Sequence, residues 1–301
     1  MTEEEKKTTN QPKKEKKKGL AQKERRMWHE RIRAFIQLLY FLFLPSAFTA
    51  AFAGVKYIFT QIGAGNPVEI TAFVTVLLVL CGYTIVFGRF FCGFACAFGS
   101  LGDGVRTAYV WICKKAKKKP VKIPEHWMRW LSLVKYGVLA LIAVACFLGV
   151  YAKAQGTSPW DVFSMLHAGR LHLNGYVPGL VILLLLVVGM ALQERFFCRV
   201  FCPMGAVFSL LPVLPAFSLV RDRESCIKGC SACTKKCPSD IELPDAKSPA
   251  VTGDCFQCQK CIDTCPRQNV HCQMEKLKGN EVVFTLIRAG ILLVLFLHLG
   301  I

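Results

Sequence analysis

The stretch VPGLVILLLLVVGMAL, residues 177–192, runs for a whole helix length without a single charged residue. A helix needs about 20 mostly apolar residues to cross the hydrocarbon core of a bilayer. Four more apolar blocks of similar length flank this one, and the five predicted spans are 34–54, 68–88, 131–151, 176–193 and 282–301. Pro45 is expected to kink the first, because proline has no N–H for the helix. The 301-residue chain is thus predicted to be an α-helical polytopic membrane protein.

Basic residues predict the direction of the spans, since loops rich in Lys and Arg stay in the cytoplasm. Residues 1–33, 89–130 and 193–281 hold twelve, nine and twelve of them, whereas loops 55–67 and 152–175 hold one and two. The N-terminus and segment 193–281 are therefore predicted to be cytoplasmic, in a bacterial inner membrane, with the C-terminus outside. The mixed Lys and Glu tail suits anionic lipid, so no nucleic acid partner is expected.

Two cysteine runs follow the fourth span: CIKGCSACTKKCP at 226–238 and CFQCQKCIDTCP at 255–266. The second has the spacing of bacterial two-cluster ferredoxins, in which the fourth cysteine of each run binds the other [4Fe-4S] cluster. Cluster 1 is accordingly predicted on Cys226, Cys230, Cys233 and Cys265. Cluster 2 is predicted on Cys255, Cys258, Cys261 and Cys237. The first run has one extra residue between its first two cysteines, so that loop is expected to bulge.

Two other uses of these cysteines are open. Structural zinc sites with four thiolates also have short spacings, although zinc gives no reason for both runs to end in Cys-Pro. Disulfides require an oxidising compartment, and the charge distribution predicts that this segment is cytoplasmic.

A second motif, RFFC-x3-C-x2-G, occurs at residues 89–99 and again at 195–205, each time after a pair of predicted spans. Both units run out and back from the same side, so they are predicted to be parallel repeats that meet at a functional interface. If the motifs are helical, the two cysteines of each point the same way. The rim quartet, Cys92, Cys96, Cys198 and Cys202, is a candidate site for a metal or a further iron–sulfur centre. Structural packing and thiol redox chemistry are the alternatives.

The predicted organisation has six parts. They are a basic cytoplasmic tail (1–33), membrane repeat 1 (34–105), a basic cytoplasmic loop (106–130), membrane repeat 2 (131–220), a 2[4Fe-4S] ferredoxin-type domain (221–272) and a C-terminal span (282–301).

The histidines offer little for a haem or a proton site. Only His298 lies in a predicted span, so no haem with two axial histidines is predicted. His167 and His172 share the outer loop 152–175, where a histidine could accept a proton from quinol. Solvated histidines beside an interfacial helix are the alternative for that loop.

The ordered set of motifs, two RFFC-x3-C units followed by a two-cluster segment, resembles the membrane iron–sulfur proteins of the NapH, NosR and CcoG group. The resemblance covers roughly residues 34–270. It implies a four-span core, cytoplasmic clusters and electron exchange with quinone or a periplasmic protein. The chain departs from that pattern at Ala97, where the group usually has proline, and in its fifth span.

The predicted function is membrane-bound transfer of single electrons between the cytoplasmic [4Fe-4S] clusters and the quinone pool or a periplasmic redox partner, as in a quinol dehydrogenase subunit. One alternative is a CcoG-type copper reductase or assembly factor, since soft thiolates suit Cu(I). Another is a membrane anchor for soluble redox partners, cytoplasmic or periplasmic.

Overall fold

The computed structural model describes residues 3–169, 175–214, 217–247, 252–272 and 281–300, with side chains except those of 3–22 and 153–155. The larger part is helical. Its first six helices are α1 Glu3–Phe43, α2 Ala47–Gly63, α3 Ala72–Phe87, α4 Ala97–Lys115, α5 Glu125–Leu131 and α6 Val134–Phe147. The next four are α7 Pro159–His167, α8 Val177–Leu192, α9 Phe196–Val200 and α10 Pro203–Leu210. A π-helical turn, Phe91–Ala95, precedes α4, and a 3₁₀ helix, Tyr151–Thr157, precedes α7.

The remainder consists of two short strands and three helices. They are β1 Leu219–Arg221, α11 Ala232–Lys236, α12 Lys260–Thr264, β2 Val270–Cys272 and α13 Glu281–His298.

Within the described residues, two helical units are long and apolar enough to cross a membrane, Glu125–Phe147 and Glu281–His298. A third span results if α1 from Lys23 and α2 are counted as one unit, which bends by 61° between Phe43 and Ala47. The expected kink at Pro45 is thus confirmed, and predicted span 34–54 is two helices. Helices α3 and α8 have only 16 residues each. The count of five spans therefore stays a prediction.

Helices α2, α3 and α6 pack side by side, and α8 packs against α4 and α7. An aromatic cluster joins the two halves: the Phe98 ring lies 4.7 Å from Phe197, 4.4 Å from Phe163 and 5.3 Å from Phe48. Large buried rings contribute about 1.5–3 kcal/mol each through the hydrophobic effect. This cluster joins α2, α4, α7 and α9, and two of its rings, Phe98 and Phe197, belong to the RFFC-x3-C-x2-G motifs.

The segment with the two cysteine runs is closed by an antiparallel pairing of β1 with β2, in the register Leu219–Cys272, Val220–His271 and Arg221–Val270. The strands therefore bring the two ends of the segment together and leave both runs between them. Its small core consists of Leu219, Cys233, Leu243, Cys261, Ile262, Cys265 and Val270.

Candidate functional site

The two rim motifs have the same local backbone. In each, the second cysteine donates its N–H to the carbonyl of a phenylalanine five residues earlier: Cys96 to Phe91 and Cys202 to Phe197, both at 2.9 Å. Both cysteines then adopt extended angles, φ −70° and ψ 123° for Cys96, φ −72° and ψ 113° for Cys202. Each is the N-cap of the next helix, α4 or α10. The motif is therefore not one continuous helix, whereas the expected alignment of thiols at i and i+4 required one.

Pro203 explains this break, because proline has no N–H and disfavours a helical residue before it. In the first motif Ala97 stands at the corresponding position, and the backbone of Cys96 is nevertheless extended. The departure from the Cys-Pro pattern therefore leaves the geometry of the motif unchanged.

The fold brings the four thiols of the rim quartet together in a buried site. Burial raises the pKa of Cys202 well above its usual value, and the thiolates of Cys198, Cys92 and Cys96 raise it further. The pKa of Cys96 is raised by burial and then by Cys198 and Cys92. Burial and Cys92 likewise raise the pKa of Cys198 to about 11. Every pair within the quartet thus interacts electrostatically, across the interface between the repeats.

The rim quartet is not arranged as the ligands of a single metal ion. Within the described part of the chain, no three Cys, His, Asp or Glu side chains converge as the ligands of one metal ion do. Four thiolates on one zinc ion would converge to Zn–S distances of about 2.3 Å. In an iron–sulfur cube each thiolate binds a separate iron atom, so the four lie further apart.

Each repeat reaches into the motif of the other. The Arg195 guanidinium donates to the carbonyls of Cys92 and of Gly93, the latter at 2.9 Å, and it fills the space that a Cβ at Gly99 would need. Arg89 approaches the second motif in the opposite direction, with its Nη2 atom 3.1 Å from a Cβ position at Gly205. The arginine of each RFFC-x3-C-x2-G motif therefore packs beside the glycine of the other motif.

Some N–H groups of these arginines have no acceptor among the described residues. The side chains of Arg89 and Arg195 are each 1% exposed, and within the described part of the chain the Nε and Nη2 groups of Arg89 and the Nε group of Arg195 are buried without a hydrogen-bond partner. Burial would lower the pKa of Arg89, but the nearby thiolates of Cys92, Cys202 and Cys198, with Asp254, raise it. Unpartnered buried donors are costly, so a negatively charged acceptor among the four thiols fits this site, as the sulfides of an iron–sulfur cluster would.

Asp103 of α4 holds Arg195 in place. Its Oδ2 atom lies 2.6 Å from Nη2 of Arg195, 2.5 Å from Nη2 of Arg33 and 2.9 Å from Nε2 of Gln37. Burial alone would raise the pKa of Asp103, but Arg195 and Arg33 hold it well below its usual range. Asp103 is one of two acidic residues in the strongly basic segment 89–130. An isolated carboxylate in such a segment is a sequence signal for an ion pair.

In the cysteine-run segment, Cys237 lies with the second run. The pKa of Cys261 is raised by burial and then by the thiolates of Cys258, Cys255, Cys237 and Cys233. Burial, opposed in part by hydrogen bonding, raises the pKa of Cys255 to about 12, and Cys258 and Cys237 contribute. Burial raises the pKa of Cys237, and the thiolate of Cys258 raises it further. This grouping is the one that an exchange of fourth cysteines requires, although cluster ligation itself stays a prediction.

The first run approaches Cys265 through Asn269. The backbone N–H of Asn269 donates to the Cys265 thiol at 3.3 Å, and its side-chain amide donates to the Ser225 carbonyl at 2.7 Å. The neighbouring Cys226 is thereby brought toward Cys265. The extra residue of this run is accommodated by a turn in which Gly229 has a φ of +75°, so the loop bulges as expected and leaves Ile227 46% exposed.

The second run lies directly against the rim motifs. Asp254 pairs with Lys135 of α6 at 2.7 Å and with Arg89 at 3.5 Å, while Arg33 of α1 donates to the Cys258 carbonyl at 3.4 Å. The two halves of the site are therefore joined by a half-exposed carboxylate that pairs with two buried cations, which the cysteine spacing did not predict.

Of the two histidines in loop 152–175, the structure describes His167. The His167 ring, at the end of α7, lies 5.1 Å from that of Phe41 and 6.1 Å from that of Phe163, and His172 lies outside the described residues. A cavity of 530 Å³ lies instead between α1, α4, α12 and α13. Cys258 and Asp103 line it, as does His29, whose Nδ1 is 2.7 Å from Asp263.

A protein-family model described as a 4Fe-4S binding domain matches residues 70–120 and 177–218, which contain the two rim motifs. An uncharacterized protein of Methanocaldococcus jannaschii is 29% identical over 76% of this chain and 88% of its own length. The methylamine utilization ferredoxin-type protein MauN of Paracoccus denitrificans is 31% identical over 64% of this chain and 65% of its own length.

The ferredoxin-type protein NapH of Escherichia coli is 24% identical over 68% of this chain and 69% of its own length. No solved structure matches. The resemblance to the NapH group is confirmed, whereas the likeness to CcoG stays a prediction. The chain is therefore similar to the ferredoxin-type proteins NapH and MauN, and the two stretches that carry its rim motifs match a 4Fe-4S binding domain.

Proposed function

We propose that the chain relays single electrons between two cytoplasmic [4Fe-4S] clusters and a third centre at the membrane rim, and from there to quinone or a periplasmic redox partner. One observation carries the proposal: the second cysteine run is packed on the rim quartet, while the first run reaches the surface. Cys226 and Cys230 are half-buried and flank the exposed Ile227, whereas Cys261 is buried and interacts with Cys233 of the first run.

The residues that would hold the groups are the two predicted sets of four and the rim quartet. When bound, iron–sulfur clusters supply one-electron redox chemistry. The chain supplies the thiolates and the donors that stabilise negative charge on sulfur. The Gly205 N–H lies 3.1 Å from the Cys202 thiol and Arg221 Nη1 lies 3.6 Å from the Cys233 thiol. Such hydrogen bonds tune reduction potentials.

The cavity beside Cys258 is our candidate for the quinone end of the relay, in place of the outer loop. Its volume is in the range of small-molecule sites, about 300–1,000 Å³. Arg33, whose guanidinium carries five N–H groups, offers a donor to a carbonyl group, and Ile32 and Phe94 offer apolar surface. A quinone analogue that protects the cavity from chemical modification supports this assignment. Protection of the loop around His167 instead would contradict it.

The direct test of the third centre is iron content. We expect the double variant Cys92→Ser with Cys198→Ser to lose about four iron atoms per chain, the content of one cube. The matched control is Cys81→Ser with Cys146→Ser, which changes two cysteines outside every motif and leaves the iron content unchanged. Wild-type iron in the first variant would remove the rim centre. Copper bound stoichiometrically by wild type and lost with the same two cysteines would favour the copper-handling alternative.

We further propose that the N-terminus and the cysteine runs are cytoplasmic and that α13 ends outside. Two observations support this: the distribution of Lys and Arg, and the 18 residues of α13, which are long and apolar enough to cross a membrane. Labelling of single added cysteines beside residues 120 and 300 by an impermeant reagent tests this. Equal labelling of both sites from the outside of intact cells would refute it.

A further inference from the structure

Phe256 lies between the two four-cysteine sets that face each other. It follows Cys255 in the second run, and its side chain is 3% exposed. The Arg89 guanidinium lies 4.6 Å from its ring centroid, and that of Arg195 lies 5.8 Å away. A cation within about 6 Å of a ring face is attracted to it, so both arginines hold this ring.

The same arginines also face the rim quartet. Arg89 interacts electrostatically with the thiolates of Cys92, Cys202 and Cys198. Arg195 interacts with Cys198 on the rim side and with Cys258 of the second run. The Phe256 ring therefore contacts both guanidinium groups and lies in the same buried cluster as the rim quartet.

The backbone of this residue is fixed from the membrane side by a glycine. A Cβ at Gly93, inside the first rim motif, would lie closer than 3.0 Å to the Phe256 carbonyl oxygen. Such a contact forces something to move. Gly93 is therefore required for the close approach of the second run, which a side chain at that position would prevent.

We propose that Phe256 is the positioning residue that fixes the second cysteine run against the rim quartet and couples the two redox centres. This inference rests on the proposed function, since it requires a centre in each set. The coupled step is the passage of one electron from one centre, which is oxidised, to the other, which is reduced, and no bond is made or broken.

The first test replaces the ring with an unbranched side chain, Phe256→Met, in the full chain reconstituted in lipid nanodiscs. We expect wild-type iron content, a weaker magnetic interaction between the two centres by EPR, and an electron equilibration rate about tenfold lower or more, because displacements near 1 Å have effects on that scale. The matched control is Phe284→Met. Phe284 is also buried and lies 4.3 Å from an arginine, Arg288, but in α13.

The second test leaves every residue of the cysteine runs unchanged. It therefore still measures the coupling between the two centres if Phe256→Met loses iron. Gly93→Ala is expected to weaken the same magnetic interaction and to slow equilibration, whereas Gly104→Ala, with nothing within 4 Å of its Cβ position, should behave as wild type. Coupling in Gly93→Ala equal to that in Gly104→Ala would overturn the inference. Absence of a rim signal from wild type would instead refute the proposed function.

Discussion

Replacing Asp103 by Asn tests the buried charge network that joins the two repeats. The carboxylate lies 2.6 Å from Arg195 and 2.5 Å from Arg33, and Arg195 is 1% exposed. The amide keeps the shape and removes the charge, so Arg195 is left as an uncompensated buried cation. Breaking a buried ion pair in this way costs about 3–5 kcal/mol.

The assay is thermal unfolding in detergent, followed by the loss of iron–sulfur absorbance. For a large domain, about 2–4 °C of Tm accompanies each kcal/mol, so the variant should melt about 6–20 °C below wild type. The control is Glu242→Gln, which removes an ion pair with Arg223 whose side chains are 69% and 49% exposed. Exposed pairs contribute about 0–1 kcal/mol, so this control should melt within a few degrees of wild type.

The pH dependence gives an independent check. The pKa of Asp103 is held below its usual value in the folded protein, so its contribution to stability is present above the unfolded pKa near 4 and is lost only as the pH falls. The difference in Tm between Asp103→Asn and wild type should therefore be constant from about pH 6 to 9. A difference no larger than that of Glu242→Gln, or one that vanishes at pH 8, would refute the reasoning.

Three further predictions concern the motifs. Cys265→Ser should lower iron by about four atoms per chain while Cys272→Ser leaves it unchanged, by iron analysis of the purified protein; equal iron contents would exclude Cys265 as a ligand. Gly205→Ala should cost about 1–3 kcal/mol, because the added Cβ would lie 2.9 Å from the Cys198 carbonyl oxygen and 3.1 Å from Arg89; an unchanged Tm would contradict the close packing at this glycine. Ala97→Pro should fold with Tm close to wild type, because Cys96 already has the extended backbone that precedes proline; a large fall in Tm would contradict the equivalence of the two motifs.

The sequence predicted those features that depend on local chemistry. Pro45 breaks the first apolar block because a missing N–H acts within one turn, whatever the surroundings. The spacing of the runs likewise predicts that Cys237 joins the second run, because it constrains the loops directly, and ligation by Cys237 stays a prediction. The duplicated RFFC-x3-C-x2-G pattern likewise predicted two equivalent units that meet at their cysteines.

Other features depend on contacts between distant segments, and no local pattern contains them. The apolar stretches of the sequence extend beyond the ends of the helices. The predicted spans 68–88 and 176–193 are therefore longer than α3 and α8. Gly88, with a φ of +66°, ends α3, and the extended Gln193 ends α8. Phe256 is one of 22 phenylalanines, and no sequence pattern distinguishes it from the others. Its position between two arginines depends on the fold.

The exchange of arginines between the motifs has a consequence for how the rim site arises. Each repeat supplies two thiols, one glycine and the arginine that fills the space beside the glycine of the other repeat. One repeat alone therefore lacks half of the ligands and leaves a buried cation without its counterpart. The site exists only where both repeats and the second cysteine run meet, since Arg89 is also held by Asp254. Docking of the cysteine-run segment therefore supports the rim quartet through Arg89, the residue that both share.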